Sequence, residues 1–133
     1  MNRNAVAVPG QPPHPEIAAA IQCGNFLFLS GVPGTKGLDT TPDFATQARN
    51  ALDRLQETLQ AAGSSLRDVV KVTCFLAAPD DDRQAWSAVF REYFPLDPPA
   101  RTTVGAVIPA KGALIEIEMI AVAADRGSQE NHA

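Results

Sequence analysis

Histidine and cysteine are scarce in this chain, at two copies each in 133 residues. His14 and His132 do not combine with Cys23 and Cys74 at any recognised metal-ligand spacing. No CxxC, HExxH, P-loop or G-x-S-x-G motif occurs, so zinc, nucleotide and serine-hydrolase chemistry lose their usual signals. Basic residues are outnumbered, eleven Lys and Arg against fifteen Asp and Glu, for a net charge of −4. A chain of that charge has no overall pull toward a phosphate backbone, which leaves room only for a local basic patch. No apolar run is long enough to cross a bilayer, and MNRNAVAVPG lacks the hydrophobic stretch of a secretory signal. The expectation is a cytoplasmic protein with reduced thiols, working without metal or cofactor and without nucleic-acid or membrane partners.

What is present describes one globular domain, 45% hydrophobic and 20% charged. Residues 1–15, with PGQPPHP at 9–15, read as an extended lead-in, and DRGSQENHA at the end reads as a polar tail over 124–133. Ile17–Cys23 and Phe26–Ser30 flank Gly24-Asn25, which predicts a β-hairpin. Gly31–Thr41 is turn-rich and reads as a loop with room for a weak strand. Phe44, Ala48, Ala51, Leu52, Leu55, Leu59 and Ala62 then share one face of an amphipathic helix. Thr41 is its expected cap, Pro42 its first residue and Gly63 its stop. Val69–Ala77 reads as a buried strand. Asp80, Asp81 and Asp82 precede a second helix that carries Trp86, Val89, Phe90, Tyr93 and Phe94 on one face and ends at Pro95. Arg101–Ile108 and Ala113–Ala123 complete the set as strands.

This order predicts an α+β sandwich, a mixed sheet with both helices on one face. The last strand is apolar on both sides, with Ile115, Ile117, Met119 and Ala121 alternating with Leu114, Ile120 and Val122. Two helices cannot cover both sides of such a sheet. The second face is therefore expected to pack on another copy of the chain.

Few residues have chemistry to offer. Arg101 follows the rigid Pro-Pro-Ala segment and opens a strand, a position from which a guanidinium can grip a carboxylate with two parallel hydrogen bonds. The plainer reading is a solvated surface arginine. Glu116 and Glu118 share one face of the last strand, as general-base candidates or as rim carboxylates that keep the sheet soluble. Ser30-Gly31 ends a strand where a backbone N–H or a hydroxyl can touch a ligand, or simply turns the chain. Cys23, Cys74, Tyr93 and Trp86 read as core.

LSGVPG (29–34), QAAGSSLRDVVKVTCFLA (60–77) and PPARTTVGAVIPAKGALIEIEMIAVA (98–123) together resemble the RidA (YjgF) family of reactive-intermediate deaminases. The resemblance spans about Ile17 to Ala123. It implies a chorismate-mutase-like fold and a homotrimer with a barrel-like core, the sheets packing inward and the sites lying between subunits. It also implies cofactor-free hydrolysis of enamines and imines such as 2-iminopropanoate. By position, Arg101 matches the arginine that binds the substrate carboxylate, and Glu116 matches the carboxylate that orients water. Ser30 and Gly31 match the pocket loop. Thr103 stands where many members have cysteine, Ile17 where they have tyrosine, and Ser87 where they have asparagine. The clamp and the acid are kept while the pocket wall differs.

Three function classes follow. The first is a deaminase of small carboxylate-bearing imines, with a variant acting on larger enamines of the aminomuconate type. The second is a non-catalytic trimer that binds carboxylates. The third is RNA cleavage, which the negative charge, the few histidines and the lack of a basic-aromatic stripe disfavour.

Overall fold

The computed structural model describes residues 2–123. Its elements in chain order are β1 (Arg3–Ala5), β2 (Ala20–Cys23), β3 (Phe26–Pro33), α1 (Phe44–Ala61), β4 (Val69–Leu76), α2 (Pro79–Tyr93), β5 (Ala100–Gly105) and β6 (Ile115–Val122), with a 3-10 turn at Leu66–Asp68. One six-stranded sheet runs in the order β1-β2-β3-β6-β4-β5. β4 and β5 pair in parallel, and every other neighbouring pair is antiparallel.

This topology puts both helices on one side. β3 and β4 both run antiparallel to the β6 that lies between them, so they are parallel to each other. The chain steps from β3 through α1 to β4, then from β4 through α2 to β5, moving the same way across the sheet each time. Parallel crossovers share one hand, and two crossovers of one hand in one direction lay their helices on one face. Their apolar stripes meet Leu27, Leu29, Val72, Cys74, Leu76, Ile115, Ile117 and Met119 in a core that also holds Leu52, Leu55, Leu59 and Trp86. The expected α+β sandwich is the fold observed.

Local chemistry sets the ends of α1. Gly63, with φ of 76°, adopts the left-handed conformation. The Gly63 and Ser64 N–H groups then donate to the Gln60 and Leu59 carbonyls at 2.9 and 2.8 Å, closing the helix as expected. The start differs from expectation. Asp43, not Thr41, is the cap, its Oδ1 accepting from the Thr46 N–H at 2.9 Å, and hydrogen bonding from the Thr46 side chain and then its backbone holds the carboxyl below the usual range. Pro42 therefore precedes the cap.

Other boundaries also move. Arg3–Ala5, within the expected lead-in, is a strand bonded to β2, and β2 begins at Ala20 rather than Ile17. β3 continues past Ser30 through a bulge to Pro33, because Val32 and Pro33 still find partners on β6. Asp80, Asp81 and Asp82 lie inside the first turn of α2. β5 ends at Gly105, and β6 begins at Ile115. The expected polar tail, 124–133, lies outside the described residues.

The opposite sheet face has no covering element among the described residues. Phe26, Phe28, Val104 and Val122 are large apolar residues left exposed on it. Phe26 pairs with Val122 and Phe28 with Ile120, so the apolar surface is continuous across β3 and β6.

Gln47 joins α1 to the approach of β6 and is fully buried. Its Nε2 donates to the carbonyls of Pro42 at 3.0 Å and Gly112 at 3.1 Å, and its Oε1 accepts from the Leu114 N–H at 2.8 Å. Gln47→Leu keeps the apolar volume but leaves three backbone groups without partners. The expected result in urea denaturation is a loss of about 2–4 kcal/mol. A loss within experimental error would show that water replaces the amide.

Candidate active site

Six of the seven residues singled out by position separate into two groups, and the sheet lies between them. The first group belongs to the helix-covered side. On edge strand β5, Arg101 is in register with Val72, Thr103 with Cys74 and Gly105 with Leu76. Those β4 partners are fully buried, so Arg101 and Thr103 share their face, out at the sheet edge beside α2. The Arg101 Cζ stands 4.7 Å from the centroid of the Phe90 ring. The aromatic face steadies the cation while leaving its N–H groups unspent. Among the described residues the one ion pair is Arg49 with Glu92, at 2.8 Å, so Arg101 has no carboxylate partner there.

Two adjoining hollows open between α2 and β5, sharing Ser87, Arg91 and Arg101. One adds Arg83, Gln84 and Thr103, and the other adds Phe90, Phe94 and prolines. The Thr103 hydroxyl is buried and has no hydrogen-bond partner among the described residues. Cys74, beneath, is no nucleophile candidate. Burial pushes its thiol far above the usual range, and the nearby Arg101 charge offsets this only in part.

The second group belongs to the uncovered face. Glu116 lies between Ile115 and Ile117, both fully buried against the helices, so its side chain projects the other way. Its strand partner on β4 is Phe75 and on β3 is Pro33. A Cβ on Gly31 would stand 2.8 Å from Glu116 Oε2. Glycine in the β3 bulge lets that carboxylate lie close against the backbone, and a larger residue there would make it shift. Ser30 beside it donates its hydroxyl to the Ala18 carbonyl at 2.6 Å and its N–H to the Ala19 carbonyl at 3.0 Å. The hydroxyl hydrogen is thus committed to holding the segment that follows Ile17 against β3, and only its lone pairs remain for a ligand. Ile17 is 54% exposed. Glu118 follows on the same face, opposite Thr73.

Within one chain, then, Arg101, Thr103 and Ser87 form one half, and Glu116, Gly31 and Ser30 form another on the far side of the sheet. Sequence reasoning treated Phe90 as core alone and passed over Arg83 and Arg91. The step of four from Arg83 to Ser87 to Arg91 was the available signal, since it sets all three on one side of α2.

Comparison with known proteins agrees with this arrangement of elements. The family described as Endoribonuclease L-PSP matches residues 10–123. A 2-iminobutanoate/2-iminopropanoate deaminase of Dermatophagoides farinae is 36% identical over 107 residues, covering 77% of this chain and 82% of that protein. The 3-aminoacrylate deaminase RutC of Acinetobacter baylyi is 34% identical over 113 residues, covering 83% of this chain and 89% of that protein. The solved structure of protein YjgH has a TM-score of 0.81 at 34% identity, covering 95% of this chain and 100% of that one. The chain therefore belongs to the Endoribonuclease L-PSP family, the group that also carries the RidA, YjgF and RutC names.

Proposed function

We propose that this protein is a hydrolytic deaminase of small enamines and imines bearing a carboxylate, acting as a homotrimer with its sites between subunits. The observation that carries the reading is the pairing of an unspent guanidinium on one face with a carboxylate cradled by Gly31 on the other. A cyclic assembly that covers the uncovered sheet face would bring the Arg101 half of one subunit to the Glu116 half of the next. The continuous apolar surface of Phe26, Phe28, Ile120 and Val122 supports that burial. Named deaminases among the relatives support the chemistry.

A 2-imino acid already has an electrophilic carbon, and protonation of its nitrogen sharpens it. The site has only to position two partners. Arg101 would hold the carboxylate through two parallel hydrogen bonds. Glu116 would hold a water, accept its proton as oxygen adds to C2, and return a proton to nitrogen. The tetrahedral aminoalcohol would then break its C–N bond, releasing ammonia and leaving a 2-keto acid. An enamine enters the same path after a proton shifts to carbon. Thr103 and Ser87 line the Arg101 side and offer hydroxyls to the bound acid. None of these steps draws on a metal or cofactor.

Arg101→Ala is expected to lower kcat/KM for freshly generated 2-iminopropanoate by about 100-fold or more. Glu116→Gln should lower kcat by about 100-fold or more. Co-expressing the two inactive variants should restore about a quarter of wild-type activity, because mixed assemblies rebuild intact sites from one half of each subunit. No recovery from verified mixed assemblies would place the two residues in separate sites. Wild-type protein that leaves keto-acid formation at the uncatalysed rate, yet is stabilised thermally by pyruvate, would instead indicate a carboxylate-binding protein.

The assembly has its own test. Phe28→Asp places a charge on the uncovered face and alters no residue of either half. Light scattering should show the monomer, with deaminase activity lost. Full activity from a monomer would refute the inter-subunit site.

A further inference from the structure

The hollow between α2 and β5 holds more positive charge than one carboxylate needs. Arg83, Arg91 and Arg101 all line it, and among the described residues no Asp or Glu does. None of the three forms an ion pair among the described residues. This is a concentration of cations in a chain whose net charge is −4. Arg83 and Arg91 are eight residues apart, about 12 Å along the helix axis, with Ser87 midway. Both line the hollow into which Arg101 reaches from β5. A cleft lined by one sign of charge attracts and concentrates the opposite sign. The Thr103 hydroxyl adds, on the β5 wall, a buried polar atom without a partner among the described residues. After Arg101 takes one carboxylate, two guanidiniums remain without a counter-charge among the described residues.

We propose that the substrates are 2-imino dicarboxylates, the imines of acidic amino acids, with Arg101 on the 2-carboxylate and Arg83 and Arg91 receiving the distal one. This rests on the deaminase reading above and deepens it by naming the substrate class. Arg83 and Arg91 act as specificity residues: they recognise the far end of the substrate and take no part in water addition or ammonia loss. Planar guanidiniums suit a carboxylate because two of their N–H groups meet its two oxygens at once. A neutral side chain gains nothing from these two arginines, so the selectivity lies wholly in the distal group.

The test uses the assembled protein and imines made in situ by amino-acid oxidases, from alanine for the monocarboxylate and from aspartate and glutamate for the dicarboxylates. Semicarbazide trapping reads the imine left unhydrolysed. Wild type is expected to favour the dicarboxylates by about tenfold or more in kcat/KM. The double variant Arg83→Gln, Arg91→Gln should reduce that ratio by about tenfold. Arg83→Lys with Arg91→Lys should retain part of it, since charge survives but the two-toothed geometry does not. Oxaloacetate and 2-oxoglutarate should raise the melting temperature more than pyruvate does, and the Gln variant should erase the difference. Equal wild-type rates on both classes would overturn this inference and leave the deaminase reading intact. An equal loss on both classes in the Gln variant would also overturn it, showing a structural or general electrostatic role. A ratio unchanged in the Gln variant, with affinity for single-stranded RNA lost, would assign the arginines to nucleic acid and overturn it. Failure to hydrolyse either class would remove the deaminase reading itself, and this inference with it.

Discussion

A pleated strand sends successive side chains to opposite faces, and that alternation governs what this molecule can do alone. β6 buries Ile115, Ile117 and Met119 under the helices and so must present Glu116 and Glu118 on the other side. β5, locked in parallel register to β4, must present Arg101 and Thr103 on the helix side. No rotamer change carries a side chain through the sheet. The guanidinium and the carboxylate that complement each other chemically are held apart by the packing that makes the fold stable. A second copy of the chain is the economical way to unite them, and the uncovered apolar face offers the surface on which such a copy would pack.

The helix layer makes the separation rigid. Both crossovers run in one direction and share one hand, which confines α1 and α2 to one side and leaves the other without cover among the described residues. Gln47 ties the start of α1 to the approach of β6 by three hydrogen bonds to backbone groups. Arg49 and Glu92 join α1 to α2 through two parallel hydrogen bonds at 3.0 and 2.8 Å. Tyr93 adds a bond to Asp53 at 2.7 Å, and burial together with that bond pushes its phenol well above the usual range. α2 is thereby fixed against α1, and its Phe90 lies beneath Arg101 of β5.

Phe90 illustrates how one residue serves the fold and a candidate site together. It packs edge-on against Trp86 at 5.6 Å and tilted against Phe94 at 4.7 Å, as a member of the core. Its outer face carries the guanidinium of Arg101. A cation on an aromatic face keeps its hydrogen-bond donors free, whereas one paired to a carboxylate has spent them. Arg49 is in the second condition and acts as a brace between helices. Arg101, among the described residues, is in the first and is available to a ligand.

The amino-acid pattern alone carried the element order, the apolar face of α1, the glycine stop at Gly63 and the doubly apolar last strand. Each is local, since periodicity and backbone preference are written within a few residues of one another. It missed β1, because three residues are too few to show alternation. It placed the α1 cap two residues early, because Thr41 and Asp43 both suit a cap and only the observed bond to Thr46 distinguishes them. It ended β3 at Ser30, because a bulge breaks the period that marks a strand. The site was legible as residue types: an arginine at a strand end, a carboxylate on an apolar strand, a glycine before a turn. Tertiary structure alone decided on which face each would stand, that Ser30 would spend its hydroxyl proton on Ala18, and that Arg83 and Arg91 would line the hollow reached by Arg101. Those facts depend on strand register and on the seating of helix on sheet, which join residues far apart in the chain and leave no mark in any short stretch of it.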